Sequence, residues 1–289
     1  MWVLVLFFSK KRKIIQPDEK NTIKKTVKKS KNCSFRIVPS VSQHIGSREN
    51  QEDAYKLTTL DEFIDSNDNG FLAVIADGIG GAALGEEASK TAVDVFEKEY
   101  NNLIKSNETL QERLKRAITI ANIAVYDLAF NLNGGNMGTT LVAAVIFQEK
   151  FYWISVGDSR IYHYREGNLK QLTTDHIYAN YLERDVARGL ISRKEAEEHP
   201  ERSYLTSHLG IPDLKEIAQS KTSLTILPED IILLCTDGLT NTLTDLEICN
   251  LLDEQKSNPA EELVKNVLIK NKPYQDNVTV AVLSCLEIN

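Results

Sequence analysis

The hydrophobic pattern changes character several times along the chain. Trp2 to Phe8 is a run of seven apolar residues, followed by a lysine-rich stretch. From Phe35 the pattern becomes that of a packed domain. Phe35–Val41 predicts a strand, and the polar turn 46–53 leads into a second short strand at Ala54–Leu57. Phe71–Ala76 is six apolar residues in succession, with the length and β-branched content of a strand buried on both faces. It stops at Asp77, and the sequence predicts a glycine-rich turn at once, Gly78-Ile79-Gly80-Gly81. Ala88, Ala92, Val95 and Phe96 then recur at helical spacing within 86–100. Leu110, Leu114, Ala117, Ile118, Ala121 and Val125 do the same within 108–132.

Strands are predicted at 140–148, 151–156, 160–165 and 169–172, spaced as an antiparallel meander. Residues 175–218 mix short helical pieces with few apolar runs, which suits a flap over a surface better than a piece of core. Strands return at 223–227, 231–235 and 278–283, with helices near 245–253 and 259–270. Two long helices in succession and hairpin-spaced strands predict an α+β fold with largely antiparallel sheets.

Charge divides the chain. The 289 residues carry a net charge of −7. Lys10 to Lys31 holds ten basic residues against Asp18 and Glu19, so this arm carries about +8 and the remainder about −15. An acidic body argues against a nucleic-acid partner and is compatible with bound cations. Residues 1–34 are expected to form a disordered basic arm, leaving a domain over 35–289. The run Trp2–Phe8 is too short to span a bilayer, which takes roughly 20 residues. With its lysines it suits a weak contact of residues 1–31 with an anionic membrane surface. Cys33, Cys235, Cys249 and Cys285 form no CxxC pair, so no disulfide framework or zinc site is expected and a reducing cytoplasm suits the chain. Cys235 and Cys285 read as buried small hydrophobes.

Carboxylates recur at strand ends. Ile231–Thr236 delivers Asp237-Gly238, repeating the device at Asp77-Gly78. Phe151–Val156 ends at Gly157-Asp158. Asp276-Asn277 precedes Val278–Val282, and Glu52-Asp53 precedes Ala54–Leu57. Each alone is an ordinary turn. If the strands are neighbours, five such placements converge, and their mutual repulsion calls for cations. Oxygen ligands without His or Cys suit Mg²⁺ or Mn²⁺, and a two-cation site clamps a phosphoryl group for in-line attack. Gly78-Ile79-Gly80-Gly81-Ala82-Ala83 also fits a dinucleotide fingerprint. That motif needs a second parallel strand ending in an acid about 20 residues on, where this chain predicts another helix. Asp65–Gly70 opens like a calcium loop, but Ala76 stands where the closing acid belongs.

Seven motifs in order carry a family resemblance: Gly46-x-Arg48-x-Asn50-x-Glu52-Asp53, Asp77-Gly-Ile-Gly-Gly81, Gly138-Thr-Thr140, Gly157-Asp-Ser-Arg160, Asp175-His176, Thr236-Asp-Gly-Leu239 and Asp276-Asn277. Over about 36–286 the chain resembles bacterial metal-dependent Ser/Thr protein phosphatases of the PPM, or type 2C, family. The resemblance implies two packed antiparallel sheets flanked by helices, a metal site at one end and a flap at about 175–210. It implies that Asp77 bridges two Mn²⁺ or Mg²⁺ ions, with the Gly78 carbonyl also on a metal. Asp237 and Asp276 would complete one ion, Glu52 and Asp53 would serve the other, and Asp158 with Asp237 would hold a third, weaker ion. Arg48 would grip the substrate phosphate, and a metal-bridged water would attack phosphorus directly. Ile79 stands where some members carry a histidine, so the leaving group's proton would come from water or elsewhere. The implied partners are phosphorylated proteins, among them a Ser/Thr kinase that the enzyme opposes and that kinase's substrates. The enzyme is expected to act as a monomer.

Overall fold

The computed structural model describes residues 34–58, 70–80, 83–102, 107–132, 137–254 and 256–288. Residues 1–33 of the expected basic arm lie outside these residues, as does 65–69 of the calcium-like segment. Among the described residues no helix is long and apolar enough to cross a membrane.

Two antiparallel sheets form the centre. One is built on β1 (Phe35–His44), β7 (Arg160–Arg165), β8 (Asn168–Gln171), β11 (Ile231–Cys235) and β12 (Val278–Glu287), in the order β1-β12-β11-β7-β8. The other runs β10-β6-β5-β3-β2, from β2 (Asp53–Leu57), β3 (Phe71–Ile79), β5 (Leu141–Phe147), β6 (Lys150–Val156) and β10 (Leu224–Thr225). Two short strands attach to it: β4 (Gly138–Thr139) pairs with β3, and β9 (Ala218–Gln219) with β6.

The two-residue period of a strand sends alternate side chains to opposite faces, and β3 uses both. Phe71, Ala73 and Ile75 enter the layer between the sheets, against Ile232, Leu234, Ala281 and Leu283. Leu72, Val74 and Ala76 face the other way, onto Ala88, Ala92, Phe96, Leu114 and Ile118 of α1 (Ala83–Asn102) and α2 (Leu110–Asn131). A third core covers the outer face of the five-stranded sheet. Leu233, Cys235, Val280 and Val282 meet helices α5 (Asp237–Thr240), α6 (Asp245–Asp253) and α7 (Pro259–Ile269). The expected sandwich of two sheets between helical layers is therefore present. Its uninterrupted apolar strands are those with covered faces on both sides.

Local chemistry sets the helix starts. Thr109 with Glu112 caps α2 and Thr244 with Glu247 caps α6, each a reciprocal pair that satisfies backbone N–H groups at the N-terminus. The segment between β8 and β9 carries α3 (Ala179–Ala187) and α4 (Arg193–Glu197) and is stapled to itself by the Ile177↔Leu205 bridge. It also reaches inward, where Leu209 is wholly buried in the core beside α2.

Two details differ from the sequence expectation. Strand β3 does not end at Asp77. It continues to Ile79 because β4 supplies partners, Gly78↔Thr139 and Ile79↔Gly138; Gly80 follows as a bend, and Gly81 lies outside the described residues. Likewise Asp237-Gly238 is the first turn of α5, not a free turn. Cys235 and Cys285 are fully buried, as expected.

Candidate active site

Strand pairing builds the site. The register of β2 on β3 sets Asp53 opposite Asp77, at the end of the seven-stranded sheet. Asp237 follows β11 and Asp276 lies two residues before β12, and these strands are hydrogen-bonded neighbours. Asp158 lies in the β6–β7 link, which joins the two sheets. Five chain segments thus deliver acids to one end of the sandwich.

Electrostatics shows that they share a neighbourhood. Burial raises the Asp77 carboxyl well above the usual carboxylate range, and Asp53, Asp237, Asp158 and Asp276 push it further. Asp53 is pushed up to about 7, chiefly by burial, with Asp237 and Asp276 adding to the shift. Asp158 also rises to about 7, through burial and then Asp237 and Asp175. Asp237 rises through burial and Asp276, and Glu52 through burial, partly offset by Arg48. Among the described residues no group of three or more acids, histidines or cysteines is drawn together closely enough to hold a metal ion as it stands. The carboxylates nevertheless act on one another electrostatically.

Each acid is held differently. The Asp77 backbone is locked by the Gly138-Thr139-Thr140 segment. Thr140 N–H and the Thr139 hydroxyl donate to its carbonyl at 2.9 and 2.8 Å, while its own N–H donates to Thr140 Oγ1 at 3.0 Å. Asp53 Oδ2 accepts hydroxyls of Thr236 and Thr279, at 3.0 and 2.7 Å, from the opposite sheet. Glu52 leaves the chain the other way, its Oε1 lying 2.7 Å from where a Cβ on Gly85 in α1 would be. Adjacent residues of an extended chain diverge, so the two carboxylates leave the backbone on different sides. Asp276 is engaged on both oxygens, by Arg48 Nη2 at 2.5 Å and by the Asn277 N–H at 2.8 Å.

Among the described residues three carboxylate oxygens are buried with no hydrogen-bond donor: Glu52 Oε1, Asp53 Oδ1 and Asp237 Oδ1. A buried carboxylate oxygen without a donor is costly. Three of them in one acid cluster fit hard divalent cations. The glycines keep backbones close. A Cβ on Gly78 would fall 2.1 Å from the Gly85 carbonyl oxygen, and one on Gly238 would fall 1.9 Å from that of Asn277.

A family model described as Protein phosphatase 2C matches residues 42–271, from the strand before Arg48 to just short of Asp276. The chain belongs to that family. It is a protein Ser/Thr phosphatase of the PPM type. The serine/threonine phosphatase stp of Listeria welshimeri is 34% identical over 224 residues, 75% of this chain and 85% of that protein. The crystal structure of the Mycobacterium tuberculosis serine/threonine phosphatase PstP/Ppp matches with a TM-score of 0.69 at 29% identity, over 87% of this chain and 99% of that one. A structure of the PstP catalytic domain in complex with two manganese ions matches at 0.67 and 26% identity, over 87% and 99%.

Several residues that complete the site of this phosphatase have no role that the sequence alone reveals. Thr236 and Thr279 tie Asp53 across the sheets. Asn277 accepts the Glu52 N–H at 2.7 Å and donates to the Ile45 and Asn50 carbonyls, fastening the loop that carries Arg48. Asn277 and Thr236 stand inside recognised motifs, which is a signal of position but not of job. Thr279 reads as any β-branched strand residue.

Proposed function

We propose that this phosphatase hydrolyses phosphoserine and phosphothreonine on proteins using two divalent cations, Mn²⁺ or Mg²⁺, and that it opposes a Ser/Thr kinase. The carrying observation is the convergence of Asp53, Asp77, Asp158, Asp237 and Asp276 with three buried carboxylate oxygens that have no donor. Asp77, electrostatically coupled to all four other aspartates, is the acid best placed to be shared by both ions, with the Gly78 carbonyl beside it. Asp237 and Asp276 would hold one ion and Glu52 with Asp53 would serve the other. Asp158 with Asp237 would take a third, weaker ion. When bound, the cations make water more acidic and polarise the phosphoryl oxygens.

The chain's own residues do the rest. Arg48 is half-exposed at the rim and already directed at Asp276, so its remaining N–H groups can donate to a phosphoryl group in the fork geometry that guanidinium provides. Thr139, Thr140, Thr236 and Thr279 hold the acids in place before substrate arrives. Ile79 supplies no proton to the leaving alkoxide.

The test is hydrolysis of a phosphothreonine peptide with and without Mn²⁺. Asp237→Ala should lower metal-dependent turnover by at least about 100-fold. Undiminished turnover in that variant, or none in the parent protein with metal, would overturn the proposal.

A further inference from the structure

Asp175, His176 and the flap helix enclose a cavity of about 330 Å³ that the reaction above does not use. It adjoins the acids. His176 N–H donates to the Gly157 carbonyl at 2.9 Å, and the Gly157 N–H donates to His176 Nδ1 at 3.0 Å, which places the imidazole one residue from Asp158. His176 lines it together with Asn180, Tyr181 and Arg184 of α3. Thr206 and Glu216 line it as well.

The polar groups of this cavity are unevenly satisfied. Both acids are engaged. Asp175 accepts Arg160 through Nε and Nη2, the latter at 2.7 Å, and Gln171 Nε2 at 2.8 Å. Glu216 accepts the Tyr181 hydroxyl on one oxygen and the Thr206 hydroxyl, at 2.8 Å, on the other. The donors are less engaged. Arg184 lies 4.1 Å over the Tyr181 ring, donates its Nε to the Asn180 carbonyl and acts on Tyr181 and Glu216 electrostatically, and among the described residues no carboxylate takes its terminal N–H groups in an ion pair. His176 accepts through Nδ1, so a neutral ring carries its hydrogen on Nε2. A cavity whose acceptors are used and whose donors remain suits a ligand that brings acceptors.

We propose that this cavity is a specificity subsite that takes an anionic side chain flanking the phosphorylated residue, with Arg184 as its cationic anchor and His176 as a second donor. The proposal rests on the phosphatase reading above. The anion could be a carboxylate or a second phosphate, and both present the same chemistry to a guanidinium.

The experiment compares phosphothreonine peptides carrying Glu, phosphoserine, Ala or Lys at the flanking positions, both in kcat/KM and in binding by fluorescence anisotropy. A small aryl phosphate with no flanking residue is measured alongside. The parent protein should favour Glu or phosphoserine over Ala by about fivefold, the upper range for a solvent-exposed ion pair, and disfavour Lys. Arg184→Ala should level the series and Arg184→Glu should reverse it, with aryl phosphate turnover unchanged in both. Equal binding of the Glu, phosphoserine, Ala and Lys peptides by the parent overturns the subsite, as does a preference that survives Arg184→Glu. Absence of metal-dependent aryl phosphate turnover overturns the phosphatase reading instead, and the anisotropy series still reads the subsite. A preference for phosphoserine without one for Glu identifies the anion as a second phosphate.

Discussion

At the scale of single residues, the same physical force has opposite consequences at two buried aspartates. Asp230 is almost wholly buried, but Arg165 grips both its oxygens at 2.6 and 2.5 Å and the Leu227 N–H donates to it. Burial works against its charge; these donors overcome burial and hold its carboxyl down at about 2. A depressed folded pKa means stability that is present above the unfolded value near 4 and is lost as pH falls toward 2, about 2 kcal/mol in all. Asp230→Asn should therefore cost about that much at pH 7 and flatten the acid limb between pH 4 and 2, measured by urea unfolding across that range. Asp77 shares a side-chain hydrogen bond with Asp237 instead of an ion pair, and four aspartates press on it. Asp77→Asn should abolish Mn²⁺ binding in calorimetry. In chelator at pH 7.5 it should raise the melting temperature by a few degrees, as about 1 kcal/mol does for a domain of this size. A fall in melting temperature would show that Asp77 is a structural acid. The sequence carries Asp77 and Asp237 clearly, since an acid ending an apolar run is visible in one dimension. The hydroxyl ties of Thr236 and Thr279 to Asp53 are not legible there, because they join residues 183 and 226 positions apart and a strand threonine looks the same with or without a partner.

At the scale of elements, the ends are less legible than the interiors. Arg160–Arg165, Ile231–Cys235 and Asp245–Asp253 read directly because each is a run with its own periodicity or its own cap. The continuation of β3 through Asp77-Gly78-Ile79 is hidden, because its partner is two residues of β4 about 60 positions away and glycine carries a turn signal. Glycines therefore need sorting by what surrounds them. Gly167 has φ +76° and nothing within 4 Å of where a Cβ would stand, whereas Gly238 would drive its Cβ to 1.9 Å from the Asn277 carbonyl. Gly167→Ala should cost only the backbone term, about 1–2 kcal/mol, with turnover intact. Gly238→Ala must part α5 from the loop holding Asp276 and Asn277, so it should cost more than that and lower turnover by at least about tenfold. Denaturant titration and kinetics on both variants check the contrast, and equal effects would refute it.

At the scale of the whole molecule, the acids come from both sheets. Asp53 and Asp77 ride on the seven-stranded sheet, and Asp237 and Asp276 on the five-stranded one. Between the sheets the apolar layer of Phe71, Ile75, Ile232 and Leu283 does the holding; at the site end the direct ties are polar, running from Asp53 to Thr236 and Thr279. A cation that takes ligands from both sides would act as a further cross-link there. Binding only the folded state adds stability by mass action, about 2.7 kcal/mol at one hundred times the dissociation constant. The location of the gain tests the geometry. Adding Mn²⁺ to chelator-treated protein should slow amide hydrogen exchange at Asp77–Ile79, Thr236–Leu239 and Asn277–Thr279 together, because each lies beside an acid from one sheet or the other. Exchange at the opposite end, around Phe35–Ile37 and Leu283–Cys285, should change only by the global increment. Protection confined to one sheet would mean that the ions do not bridge the sandwich, and would reassign the ligands to that sheet alone. Asp237→Ala should remove the local protection at both sheets while leaving the far end as it was in chelator, since the cross-link needs both sides.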